Sequence, residues 1–191
     1  MTTTRIAKGS PAVASDGLHP ELAELAGERR TARVVGITAA VTRISIGFVF
    51  LWAFLDKLFG LGKATPSEKA WLNGGSPTKG FLSGVEGPFA GLFKPMAGDA
   101  WANWLFMLGL LGIGVALILG ITMKIAAASG AAMLVMMWMA SLPLENNPFM
   151  DDHIVYALVL VLLAALRSGD SFGLGAQWRK LPVVRDHSIL Q

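Results

Sequence analysis

Four apolar segments constrain the fold of this chain more than any other feature, because a helix needs roughly 20 apolar residues to cross a bilayer. Their bounds are about 34–55, 101–120, 125–142 and 152–166. Of the 191 residues, 53% are hydrophobic and 15% are charged, whereas soluble domains carry about 25% charged residues. The sequence therefore predicts an all-α integral membrane protein, built as a bundle of four transmembrane helices.

The distribution of positive charge predicts the orientation of these helices. Ten basic residues lie before the first segment, after the fourth, or at Lys124 between the second and third. Five lysines and seven acids lie in or beside the other two loops. Because cytoplasmic loops are enriched in Lys and Arg, we expect a multi-pass protein of the inner (plasma) membrane with both termini in the cytoplasm.

This orientation divides the chain into three parts. Residues 1–33 form a cytoplasmic N-terminal tail, in which "HPELAELAGERR" predicts a short, separate helix on the membrane surface. Residues 34–170 form the membrane domain, and residues 171–191 form a cytoplasmic C-terminal tail. No small-residue cleavage site follows the first apolar segment, so we expect this segment to remain in the mature protein.

Composition excludes several functional classes. The chain has no cysteine, which rules out disulfides, thiolate nucleophiles and iron–sulfur clusters held by thiolates. The net charge is +3, but the basic residues are divided between both ends and one loop, so nucleic acid is not an expected partner. A haem between helices needs two facing ligands, and His153 is the only histidine in a predicted span. We expect no covalently bound cofactor and no metal site.

The outer loop, residues 56–100, is far longer than a connection between packed helices requires. In "TPSEKAWLNGG", Thr65 and Pro66 indicate a helix start and Gly74 a helix end. We expect two or three short amphipathic helices that lie on the outer face of the bundle as a lid. The alternative is a surface feature that covers no ligand.

Arg43 interrupts the first apolar segment, about 13 Å beyond Val34 along a helix. An arginine at that depth costs a few kcal/mol, and no predicted span offers a carboxylate there. Arg43 either snorkels to headgroups or pairs with free helix carbonyls, or it binds an anionic or carbonyl-bearing ligand inside the bundle. In the second case Phe50 and Phe54, on the same helix face, would flank a flat ring such as that of a quinone.

Polar side chains also gather at the predicted outer ends of spans one and four. Tyr156 follows Asp152 and His153 by about one helical turn and can share a face with either. A turn at residues 147–148 followed by an Asp N-cap explains part of this pattern. No catalytic residue is assigned. The candidate residues for binding a quinone or an anion are Arg43, Asp56, Lys57, Asp152, His153 and Tyr156.

Small residues predict where the helices pack most closely. Gly112, Ala116 and Gly120 recur every four residues, and residues 126–132 are all small. This spacing lets helix backbones approach each other in a membrane. We expect tight packing between spans two and three.

Three motifs resemble the DoxX family, and its DoxD-like branch most of all. They are "TRISIGFVFLWAFLDK", "SEKAWLNGGSPTKGFL" and "ENNPFMDDHIVYAL", and the resemblance covers roughly residues 41–175. Arg43, Gly47 and the pair Asp56–Lys57 are the part that resembles the whole family. The resemblance implies a four-helix membrane subunit of a thiosulfate:quinone oxidoreductase, which oxidises thiosulfate to tetrathionate and reduces a membrane quinone.

Three functions are consistent with these features. The first is a quinone-interacting subunit of a membrane oxidoreductase, surrounded by lipid and joined to a redox partner subunit or to further copies of itself. The second is a non-catalytic scaffold or assembly subunit of a respiratory or redox complex. The third is a small-solute or lipid transporter, which the lack of an apparent inverted repeat disfavours.

Overall fold

The computed structural model describes the backbone of residues 18–190. Contacts divide the chain into two units at Val35 and Gly36, and everything below concerns the second unit unless stated. The described residues form helices, turns and loops, with no strand among them. The α-helices are α1 (Leu18–Phe59), α2 (Lys79–Ser83), α3 (Ala90–Phe93), α4 (Ala100–Leu119), α5 (Met123–Ala140), α6 (Asp152–Ala165), α7 (Gly175–Trp178) and α8 (Pro182–Arg185). Single 3₁₀ turns lie at Ser67–Lys69, Trp71–Asn73, Lys94–Met96, Ser168–Asp170 and Ser188–Leu190.

Three of these helices, α1, α4 and α5, are long and apolar enough to cross a membrane, and α6 is a shorter apolar helix. The bounds of α4, α5 and α6 lie within two residues of the predicted segments. Helix α1 differs, because it begins at Leu18 and continues without a break into the first apolar segment. Residues 19–30 are helical as predicted, but they belong to this long helix and do not form a short one. One glycine, Gly27, costs only about 1 kcal/mol in a helix and did not end it.

One apolar core joins α1, α4, α5 and α6. Its most buried members include Phe50, Met107, Leu117, Ala127 and Leu160. Because a helix buries only one face in such a core, the opposite faces keep exposed leucine, valine and isoleucine side chains. The four helices therefore pack together around one core, to which each of them contributes side chains.

The backbones of α1 and α4 approach each other closely at Gly114, although α5 and α6 form the most extensive helix contact. A Cβ atom on Gly114 would lie 2.8 Å from the backbone nitrogen of Leu51 and 3.1 Å from the carbonyl oxygen of Gly47. Gly112, which the four-residue spacing had placed at a tight contact, is exposed and would meet nothing within 4 Å. That prediction was wrong because the spacing identifies a helix face but not the face that meets a neighbour.

The outer loop is ordered against the first turns of α4 and the last turns of α5. A second apolar cluster joins Val85 and Phe93 of the loop to Ala140 at the end of α5. Trp71 packs edge-on against Trp104 of α4, with 4.7 Å between ring centroids. The short helices expected in the outer loop are thus confirmed, as α2, α3 and three 3₁₀ turns.

Candidate functional site

Arg43 is completely buried and donates its hydrogen bonds to backbone carbonyls. Nη1 donates to the carbonyl oxygens of Leu117 and, at 3.0 Å, of Ile118. Nη2 donates to the carbonyl oxygens of Ser171 at 3.3 Å and Phe172 at 3.1 Å. Four of the five guanidinium N–H groups are therefore used by this chain itself. Of the two alternatives for Arg43, pairing with helix carbonyls is the one that the structure shows.

The end of α4 explains why an arginine is needed there. Its last four carbonyls have no partners within the helix. Gly120, at φ 72°, ends the helix, and the amides of Gly120 and Ile121 bond the carbonyls of Leu117 and Ala116 as in a Schellman motif. The carbonyl of Leu119 accepts from the amide of Leu174 at 2.8 Å. Arg43 donates to the remaining carbonyl, that of Ile118. It also places its positive charge at the negative end of the helix dipole.

This contact also corrects the predicted depth of Arg43. The arginine is level with Ile118, one residue before α4 ends at Leu119. It therefore lies near one end of the shared core rather than well inside it. Phe50, expected to flank a ligand beside Arg43, lies in the core and is 3.7 Å from the position of a Cβ on Gly130.

Asp56 is buried at the opposite end of α1 and fixes the turn that follows. Its Oδ1 accepts from the amide of Lys63 at 3.2 Å, and its Oδ2 accepts from the amide of Ala64 at 3.1 Å. Both carboxylate oxygens thus hold the first residues of the outer loop against the end of α1. This arrangement gives Asp56 a structural role in placing the loop.

A cavity of about 250 Å³ lies between the outer loop and the adjoining ends of α4 and α5. Its walls are mainly aromatic and methionine side chains, and Lys57 is the one charged side chain among the described residues that line it. The Nζ of Lys57 lies 5.9 Å from the centroid of the Phe106 ring, within reach of a cation–π contact. No described carboxylate forms an ion pair with this ammonium group within 4.0 Å. The neighbouring Asp56 carboxylate bonds the amides of Lys63 and Ala64 and acts on Lys57 only through space.

A polar node holds the outer loop in place over this cavity. The Oδ1 of Asn103, in the first turn of α4, accepts from Thr78 Oγ1 at 2.7 Å, from the Thr78 amide at 3.1 Å and from Ser76 Oγ at 3.0 Å. Its Nδ2 donates to the carbonyl of Gly98 at 3.3 Å. Asn103 and Thr78 are both buried. One amide side chain thus connects both ends of the loop segment that forms the cavity roof.

The polar residues at the start of α6 mainly organise that helix. Asp151 caps it, because its Oδ1 accepts from the amide of Ile154 at 3.3 Å, which confirms the expected Asp N-cap. Its Oδ2 lies 2.6 Å from Nδ1 of His153, and Asp152 Oδ1 lies 3.6 Å from the same atom. Tyr156 is exposed. Asp151, Asp152 and His153 offer ligand atoms within 4.8 Å of one another, but both oxygens of Asp151 already have partners.

The six candidate residues lie in three parts of the fold. Arg43 lies at the end of α4, Asp56 and Lys57 at the end of α1, and residues 152–156 at the start of α6. Lys57 is the only one of the six that lines the apolar cavity.

Sequence reasoning missed most of the residues that form the cavity. No motif singled out Met133 and Met137, which pack in the core and also line the cavity together with Phe106. Asn103 carried a usable signal, because it is a polar residue inside the apolar segment "WANWLF", as Arg43 is in its own segment.

Comparison of the chain with protein-family models, with curated proteins and with solved structures found no match. The assignment of a function depends on the geometry of the cavity and on the sequence motifs.

Proposed function

We propose that the chain is a four-span membrane protein of the DoxX type, which binds the ring of a membrane quinone in the cavity below the outer loop. In this proposal it is the quinone-interacting subunit of a membrane oxidoreductase. The observation that carries the proposal is the pairing of an apolar, aromatic-lined cavity with a single ammonium group, Lys57. Small-molecule sites commonly combine apolar walls with a few polar groups that orient the ligand.

The chemistry of the cavity suits a quinone ring. The aromatic walls, including Phe81 and Phe106, offer faces against which a flat ring packs. The ammonium group of Lys57 is a hydrogen-bond donor for a ring oxygen. A carboxylate beside Lys57 would compete for it, and the nearest one in sequence, Asp56, is held by amides of Lys63 and Ala64.

The membrane part of the proposal rests on the shared core. Helix α6 has 14 residues, about 21 Å of helix, whereas the hydrocarbon layer is about 30 Å thick. Local thinning of the bilayer and the apolar residues Phe149 and Met150 ahead of the helix support its crossing. With α6 as a fourth span, the basic ends of the chain lie on the cytoplasmic side and the cavity opens near the outer surface.

Electron transfer in this proposal requires a partner. The motifs resemble the membrane subunit of thiosulfate:quinone oxidoreductases, and the cavity supplies a place for the electron acceptor. The electron donor would then be oxidised on a redox partner subunit or by an assembly of several copies.

A binding experiment with lysine variants tests the proposal. Wild-type protein in lipid nanodiscs is titrated with menaquinone and with ubiquinone, and binding is followed by quenching of tryptophan fluorescence. We expect saturable binding that Lys57→Met weakens by about 10- to 100-fold, since a hydrogen bond to a charged group contributes about 1.5–3 kcal/mol. Lys69→Met, which removes an exposed lysine of the same loop, is the matched control and should leave binding unchanged.

Two results would reject the proposal. The first is the absence of saturable quinone binding by the wild-type protein. The second is equal binding by wild type, Lys57→Met and Lys69→Met. If the chain forms a stable complex with a partner protein and neither this complex nor the chain binds quinone, the scaffold function is favoured instead.

A further inference from the structure

The mouth of the cavity is apolar, like its interior, but its side chains are exposed whereas those of the interior are buried. Phe93 and Met133 inside it are 5% and 9% exposed, whereas Trp101, Leu105 and Met136 on its edge are 53%, 64% and 47% exposed. Trp101 and Leu105 are one turn apart on α4, and Met136 lies on α5. The mouth is therefore a gap between two helices whose exposed faces are apolar.

The position of this gap decides what reaches it. Helices α4 and α5 both meet the length and hydropathy needed to cross a membrane. Leu105 and Met136 lie inside those helices, five residues after the start of α4 and four before the end of α5. In a membrane, side chains at these positions contact acyl chains rather than water. A ligand that passes this mouth comes from the lipid.

The size of the cavity limits how much of a ligand it holds. Pockets that enclose a drug-sized molecule measure roughly 300–1,000 Å³, and this cavity measures about 250 Å³. It has space for a ring or a similar head but not for a long chain as well. A tail attached to that head must leave through the apolar mouth.

We infer that the ligand is a single-tailed amphiphile that enters the cavity sideways from the membrane. Its oxygen-bearing head lies at Lys57, and its tail leaves between α4 and α5 past Leu105. The inference deepens the proposed function, and it rests on that function for the identity of the amphiphile, a long-tailed quinone. It adds that the size of the side chain at position 105 affects the binding of ligands with a tail but not of ligands without one.

A bulky side chain at the mouth tests the inference. Leu105→Trp places an indole where the tail passes, and Leu108→Trp makes the same change one turn further on, at an exposed position that does not line the cavity. Both variants are compared with wild type in nanodiscs for binding of a long-tailed quinone, the same ring without a tail, and a long-chain fatty acid. Thermal melting confirms that each variant is folded.

We expect Leu105→Trp to weaken binding of the long-tailed quinone by about tenfold, or about 1.4 kcal/mol. Binding of the tail-less ring should not change, and Leu108→Trp should behave as wild type for both. If tailed and tail-less rings bind equally well to wild type and to Leu105→Trp, the proposed function stands and the inference fails. If only the fatty acid binds, and Leu105→Trp weakens it, the quinone function fails and the inference stands. Binding of none of the three probes rejects both.

Discussion

Arg43 shows how a buried charge is stabilised without an opposite charge. Its guanidinium group meets two carbonyls at the end of α4 and two more at Ser171 and Phe172. Carbonyl oxygens that lack helical partners are strong acceptors, and at the C-terminal end of a helix they carry partial negative charge. A lysine would offer one ammonium group in place of a planar fork, so arginine suits this position better.

We expect Arg43→Leu to lower the free energy of unfolding by about 3 kcal/mol, because it removes charge-assisted hydrogen bonds and leaves buried carbonyls without donors. The free energy of unfolding of Arg43→Lys should lie between those of the wild type and Arg43→Leu. Thermal melting in mild detergent measures the effect, and Arg33→Leu, at an exposed position of the same helix, is the control.

Quinone binding per folded molecule should survive Arg43→Leu, since Arg43 and Lys57 are 14 residues, or about 21 Å, apart along α1. Normal melting together with lost binding would reverse this assignment and make Arg43 a ligand-binding residue.

At the scale of helices, glycine decides which pairs come together. Gly47 and Gly114 face each other where α1 crosses α4, and a side chain on either would collide with the partner helix. In a membrane, helices associate largely through such close packing, because lipid tails are as apolar as the helix surfaces. The crossing of α1 and α4 therefore depends on two positions that carry no side chain.

Two alanine substitutions on α4 should differ in their effect on stability. Gly114→Ala should destabilise the protein by about 1–3 kcal/mol, because its Cβ would lie 2.8 Å from the backbone of Leu51. Gly112→Ala should be neutral or stabilise by up to about 1 kcal/mol, because that position is open and alanine favours the helix. Melting temperatures in the same detergent compare them. A loss of stability in both variants would contradict the assigned faces.

At the scale of the whole molecule, the two ends of the bundle formed by α1, α4, α5 and α6 carry different features. One end carries Arg43 and the C-terminal segment that bonds the end of α4. The other end carries the outer loop, the Asn103 node and the cavity. The proposed orientation places the first end in the cytoplasm and the second outside.

Because the chain has no cysteine, single cysteines test this orientation directly. In intact cells, Ser83→Cys in the outer loop should react with a membrane-impermeant maleimide. Gln177→Cys should react only after the membrane is opened. Leu158→Cys, on the exposed face of α6, should stay unreactive until detergent is added if α6 is the fourth span, as proposed. Labelling of Gln177→Cys in intact cells would overturn the orientation, and labelling of Leu158→Cys in opened membranes would remove α6 as a span.

The positions of the helices along the chain were predicted well, but the contacts between them were predicted poorly. Apolar length alone located α4, α5 and α6 to within two residues, because the length of an apolar run can be read from the local sequence. The depth of Arg43 was misjudged, because its distance from Val34 does not tell where the neighbouring helix ends.

The candidate residues show the same limit. The sequence singled out polar side chains near the outer ends of spans one and four, but it could not tell that Asp56 bonds the amides of Lys63 and Ala64 or that Lys57, alone of the six candidates, lines the cavity. The aromatic and methionine walls come from three separate parts of the chain, which a linear pattern cannot bring together.

The contacts of Arg43 have a consequence for how the protein is made. Ser171 is 128 residues further along the chain, so a ribosome that adds about 5–20 residues per second completes that acceptor roughly 6 to 26 s after Arg43. Until then the newly made first helix holds a cation with at most half of its final acceptors. The nascent protein therefore needs water, lipid headgroups or the insertion machinery to shield this arginine, and the arrival of the C-terminal segment marks the end of its assembly.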